Sequence, residues 1–229
     1  MKNCLKKINF TVGTVSIIVV ILFTPLLFHI FNFNYYLTLY EKNGVYNSID
    51  KEDAIKLTKD LFGFFKENQG FKPFILKNNL PYYTANEISH LDDVRILFNK
   101  IFLAYYICLG LTIVSVAGLF EKNSKKFLKN ISILLIVPAS ILIFFLLLLI
   151  LFGQNFLPLF DKFHNVFFPQ GNFAFPEDST LITLLPLGFF NDFFKRLVIS
   201  AVIISFILII SGISISLTLK RNTKQKEYG

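Results

Sequence analysis

The chain has 229 residues, of which 54% are hydrophobic and 29 are Phe, with a positive mean hydropathy. That is too apolar for a soluble domain of this length, and the apolar residues fall into blocks, so the chain reads as a polytopic membrane protein. A formal charge of +8 would suggest nucleic acid as the partner of a soluble protein; here the excess lies in short loops and reads as topology, with no nucleic-acid partner.

Four apolar runs are long enough to cross a hydrocarbon core, which takes about 20 helical residues. They lie near 8–31, 96–120, 131–152 and 197–219. The first follows Lys2, Lys6 and Lys7 like a signal peptide, but its apolar stretch is too long and no small-x-small site follows, so an uncleaved anchor is expected. Cys4 precedes that run and cannot accept a lipoprotein lipid; Cys108 lies within the second run, so no disulfide is expected.

Lysine and arginine set the expected orientation. They crowd the N-terminus, the loop of Lys122, Lys125, Lys126 and Lys129, and the tail from Lys220. All three should be cytoplasmic. Segments 32–95 and 153–196 carry more acids than bases and should face outward. The expected fold class is therefore an all-α membrane protein. It is a four-transmembrane-helix bundle, N-in and C-in, forming a single integral domain with two structured extracytoplasmic segments.

In the first outer segment Asp50 can cap a helix over 51–68, with Ala54, Leu57, Leu61 and Phe65 at helical spacing. Its other face is charged, which suits the membrane surface or packing on the bundle. Gly70 and Pro73 should end it, and 71–83 suits short strands or an extended loop. Thr84 and Glu87 then have the form of a capping box, and nothing breaks the helix they open before the second span. On it Glu87, His90 and Asp93 fall three apart and share roughly one face, while Asp92 points elsewhere. In the second outer segment Pro158, Pro169, Pro176 and Pro186 leave pieces too short to span. A short helix over 158–168 would put Asp161 and His164 on one side. Residues 179–185 are apolar for about two turns and suit the interface or re-entry against protein.

The chain has three histidines, and this topology puts each at the outer end of a span. His29, among Leu and Phe, reads as an interface anchor or packing residue. His90 and His164 lie near carboxylates, where titratable groups usually mark a site. A solvated helix face or a capping pair would explain them blandly. If they act, a His beside a carboxylate can serve as a general base at neutral pH. His, Asp and Glu could instead hold a divalent metal that activates water, but the spacing matches no zinc pattern, so the base is favoured and no cofactor or metal is expected. Phosphate-binding, dinucleotide, CxxC and GxSxG motifs are absent.

Two further patterns carry a resemblance. Tyr-Thr-x-x-Glu-Ile-x-His-x-x-Asp-Val, from Tyr83 to Val94, precedes the second span, and Phe-His-x-x-Phe-Phe, from Phe163 to Phe168, follows the third. With Asp178-Ser179, Pro186 and Phe189-Phe190 in the same order, the chain resembles the integral membrane family of lipoprotein intramolecular transacylases. One departure is the absence of Trp; Phe173 or Phe175 stands in its place, which bears on the lipid pocket rather than the chemistry.

The resemblance implies a multi-pass protein of the bacterial cytoplasmic membrane. Its substrate would be a diacylglyceryl-lipoprotein in the outer leaflet, among membrane lipid. The sn-2 acyl chain would move to the α-amine of the lipoprotein's own N-terminal cysteine, giving the lyso form. Carried over by position, the essential histidines are His90 and His164. His164 is expected as base, oriented by Asp161, with Glu87, Asp93 or Arg95 supporting His90. A membrane-bound metal-dependent hydrolase and a non-enzymatic envelope accessory protein remain as alternatives.

Overall fold

A computed structural model describes residues 2–66, 83–152 and 155–224. Eight α-helices are present among them: α1 (Lys2–His29), α2 (Phe33–Lys42), α3 (Lys51–Lys66), α4 (Ala85–Gly118), α5 (Ser124–Phe152), α6 (Phe156–Phe167), α7 (Thr180–Leu184) and α8 (Leu187–Lys224), with a single 3-10 turn at Val45–Asn47. No strand occurs among the described residues. The strands or loop expected over 71–83, and the stops at Gly70 and Pro73, fall outside them, Tyr83 excepted. Four helices (α1, α4, α5 and α8) are long and apolar enough to cross a membrane. The all-helical, four-span class expected from the apolar blocks is the one observed.

The chain divides into two compact units. The first comprises Met1–Leu26, Leu103–Phe152 and Leu197–Gly229 and holds a core of Ile17, Ile21, Leu134, Leu142, Leu146 and Ala201. Lipid offers no hydrophobic drive for helices to associate, so small residues and polar cross-links take its place. A Cβ on Gly13 would lie 2.9 Å from that of Ser115, and one on Gly212 would lie 2.9 Å from the Ser132 carbonyl oxygen. At the second contact the Ser132 hydroxyl donates to the Gly212 carbonyl at 2.7 Å. Beside the first, the Asn9 amide donates to the Ser115 carbonyl at 2.9 Å. Glu121 takes an ion pair from Lys6 and another from Lys126.

The second unit comprises Leu27–Phe102 and Gly153–Arg196. Asp50 accepts from Glu52 N at 2.9 Å at the start of α3, as expected. Ala54, Leu57 and Leu61 are buried, with Phe64 rather than Phe65 as the fourth member. They join Leu39, Tyr40, Leu91, Leu184 and Phe189 in one core. The α2 helix had no counterpart in the sequence reading. Asn32 caps it, accepting from Tyr35 N. Tyr36 and Tyr40, one turn apart, lie 5.0 and 5.8 Å from the Phe189 ring of α8. The buried Tyr40 hydroxyl bonds that of Thr58 at 2.7 Å.

Candidate active site

The site lies within the second unit. The capping box forms as expected: Glu87 Oε2 accepts from Thr84 N at 2.7 Å, and Thr84 Oγ1 accepts from Glu87 N at 3.2 Å. Helix α4 then runs unbroken for 34 residues. That is about 50 Å at 1.5 Å per residue, well beyond a hydrocarbon core of about 30 Å. A helix of that length has room for the turns carrying Glu87, His90, Asp92, Asp93 and Arg95 beyond the stretch that a hydrocarbon core would cover. Helix α6 begins two residues before Pro158, which sits in the first turn, where no backbone donor is needed.

These two helices bring His90 and His164 together. Their ring centroids are 5.8 Å apart with planes inclined by 25°. They are 5% and 8% exposed, which rules out the bland reading of a solvated helix face. Phe168, at the end of α6, packs against both, 4.7 Å from the His90 ring and 5.5 Å from that of His164. Phe173 covers His164 at 5.1 Å and Phe175 covers His90 at 5.5 Å. Both positions singled out for the missing Trp thus line the histidine pair.

The chemistry of His164 follows from its neighbours. Its Nδ1 lies 2.8 Å from the Phe160 carbonyl oxygen. A carbonyl only accepts, so Nδ1 carries the hydrogen and Nε2 holds the free lone pair. Burial lowers the pKa of His164 below the ordinary imidazole value, and the Phe160 carbonyl and the Asp161 charge offset this only in part. A neutral imidazole with an open Nε2 is a competent base at neutral pH. Two imidazolium charges this close would repel, so the pair carries at most one positive charge near neutrality.

The expected supporting residues are placed differently. Asp161 is exposed, and it is the Phe160 carbonyl rather than the Asp161 carboxylate that Nδ1 meets. Glu87, 1% exposed, turns its Oε1 to Leu181 N at 2.7 Å. It thus binds the first turn of α7 as well as its own helix start. Arg95 pairs with Asp92 at 2.8 Å and lies over the Phe64 ring. Asp93 accepts from Gln170 Nε2 at 2.6 Å and Asn172 Nδ2 at 2.7 Å, which ties α4 to the loop after α6. Sequence reasoning missed Gln170 and Asn172. The only signal there is the turn at Gly171, whose φ of 76° is one that glycine adopts freely. Among the described residues no three His, Cys, Asp or Glu side chains are grouped as metal ligands would be.

A family model described as lipoprotein intramolecular transacylase Lit matches residues 11–190. The chain belongs to the Lit family. Membership makes it an acyltransferase of the membrane. The fold agrees with that of solved Lit. The membrane-integral Lit of Bacillus cereus has a TM-score of 0.70 at 19% identity, covering 97% of this chain and 99% of that one. A form of the same protein with a histidine replaced by arginine also gives 0.70, at 17% identity and 96% of each chain. At such identities the likeness is one of fold. A protein of Aquifex aeolicus (strain VF5) with no assigned activity is 27% identical over 168 residues, 72% of this chain and 74% of its own length.

Proposed function

We propose that the chain moves the sn-2 acyl chain of a diacylglyceryl-lipoprotein to the α-amine of that lipoprotein's N-terminal cysteine, with His90 and His164 as the catalytic pair. The observation that carries this reading is the buried, stacked histidine pair inside an aromatic box. An ester and an amine on one substrate need orientation and proton transfer more than a protein nucleophile.

The α-amine, with an ordinary pKa of about 8, loses a proton to become the attacking group. Its nitrogen adds to the sn-2 ester carbonyl, forming the C–N bond and an oxyanion. Nε2 of His164 takes the second amine proton. The bond from carbon to the sn-2 oxygen then breaks, and that oxygen receives the proton from the imidazolium. Amide, free hydroxyl and one released proton balance the reaction. His90, stacked beside His164, shares that proton as it passes from the amine to the leaving oxygen.

The acyl chains have an apolar path. On α6, Phe156, Phe160 and His164 recur every fourth residue. Phe156 stacks near Phe194 at 5.8 Å and Phe160 near Phe190 at 5.3 Å, both on α8. At the Phe156 end lies a cavity of about 490 Å³, lined by residues including Leu157, Pro158, Leu187 and Gly188, a size within the range of ligand pockets. The lysine-rich termini and the loop after α4 support an N-in, C-in orientation with the histidines on the extracytoplasmic side. That is where a lipid-anchored lipoprotein presents its N-terminus.

The test is mass spectrometry of N-terminal lipopeptides from a host that makes only diacylglyceryl-lipoproteins. Expression of the chain should yield N-acyl, mono-O-acyl peptides. Diacyl peptides alone, from membranes that contain the folded chain, would refute the reading.

A further inference from the structure

The His90 ring has a second contact that the mechanism leaves unused. Among the described residues His90 Nδ1 is buried with no hydrogen-bond partner, and so is Asn172 Oδ1. The Asn172 side chain is the polar amide that reaches the His90 ring. His164, Phe168, Phe175 and the Asp93 charge also lie around that ring.

The orientation of Asn172 follows from its other partner. Asp93 Oδ2 lies 2.7 Å from Asn172 Nδ2 and 2.6 Å from Gln170 Nε2. A carboxylate accepts only, so the Asn172 amine end must face Asp93, with Ser89 Oγ beside it at 3.3 Å. The carbonyl end is left for His90. A carbonyl also accepts only, so the nitrogen that meets it must carry a hydrogen. Leaving both atoms unpaired and buried is costly, and a bond between them would satisfy both.

The geometry points to Asn172 as a positioning residue: held by Asp93, it fixes His90 as the Nδ1–H tautomer and turns a free Nε2 toward His164 and the substrate. His164 receives the same tautomer from the Phe160 carbonyl, so both rings would offer Nε2 to one reacting centre. The residue acts through His90 and does not touch the acyl group. This deepens the transacylase reading and rests on it for the role of His90, but the tautomer itself can be measured without turnover.

Only three histidines are present, so 15N-histidine labelling of the full chain in lipid nanodiscs gives three resolvable ring pairs. His90→Gln assigns the relevant one. At neutral pH the wild-type His90 should show a protonated Nδ1 and an unprotonated Nε2. Asn172→Leu, close in size and without an acceptor, should shift His90 toward the Nε2–H form. It should also lower kcat by about tenfold or more, the cost of one lost buried bond, while KM changes little. Asp93→Asn, which can donate as well as accept, should give a mixture of tautomers and an intermediate kcat. A wild-type His90 protonated on Nε2 would overturn the inference, even if the variants failed to fold. So would an Asn172→Leu protein with unchanged tautomer and kcat. An Nδ1–H signal lost in Asn172→Leu, in a chain that forms no lyso-lipoprotein, would uphold the positioning role and refute the activity instead.

Discussion

The Phe160 carbonyl lies one helical turn before His164 and meets its Nδ1 at 2.8 Å, so a backbone atom fixes which ring nitrogen is basic. The proposed base thus needs no acidic partner. Replacing Asp161 by Asn should leave lyso-lipoprotein formation within about threefold of wild type, since an exposed charge acts weakly through water. A loss of a hundredfold in the initial rate would restore Asp161 to the role the sequence suggested.

The two histidines should not be interchangeable with apolar residues. His164→Ala and His90→Ala are each expected to lower the rate by at least about a hundredfold, the usual worth of general acid–base catalysis. Membrane insertion and yield should be preserved. Near-normal rates in both single variants would remove the pair from the chemistry.

The depressed pKa of His164 also predicts a pH dependence of stability. Unfolded, this side chain takes up a proton near its ordinary value of about 6.5; folded, it does so only at lower pH. Between the two values the unfolded chain binds more protons, so stability falls as pH drops below about 6.5 and is retained above it. Thermal unfolding in micelles between pH 7.5 and 5.5 should show this slope, and His164→Phe should flatten it. An equal slope in the variant would assign the dependence to other groups.

Glu87 joins two segments through three bonds to Thr84 and Leu181. Its replacement by Ala keeps the backbone N–H that Thr84 Oγ1 caps but removes the acceptor of Thr84 N and orphans the buried Leu181 N–H. The expected loss is about 2–4 kcal/mol of stability. Glu87→Gln keeps an acceptor for Leu181 N and should lose about half as much. Denaturation of the two variants side by side measures the difference; equal losses would mean that the Leu181 bond contributes nothing.

In the first unit, Gly212→Val would set a Cβ 2.6 Å from Ile136 Cγ1 and 2.9 Å from the Ser132 carbonyl oxygen. A side chain can move aside, but the carbonyl cannot without shifting α5. A destabilisation of about 1–3 kcal/mol is expected, typical of overpacking, with kcat of the folded fraction unchanged. An unaltered melting temperature would mean that the helices do not approach this closely.

What could be read from the sequence were the features written locally. Apolar run lengths gave the four spanning helices. Thr84 and Glu87, three apart, gave the start of α4. The rest depends on contacts across long stretches of chain. Glu87 finds Leu181 N at a separation of 94 residues, which no local spacing encodes, so its carboxylate read as a partner for His90. Tyr36 and Tyr40 belong to a helix of only 10 residues, stabilised by the rings of Phe62 and Phe189 rather than by its own periodicity. Asn172 lies in a turn without repeat or charge, and only its position against Asp93 and His90 gives it meaning.

The most direct measurement of the central claim is the mass of N-terminal lipopeptides from the diacylglyceryl-only host. Wild-type chain, His90→Ala and His164→Ala are compared at equal membrane abundance. The account predicts N-acyl, mono-O-acyl peptides with the wild type and unmodified diacyl peptides with either variant. Diacyl peptides in all three, or the lyso form in all three, would contradict it.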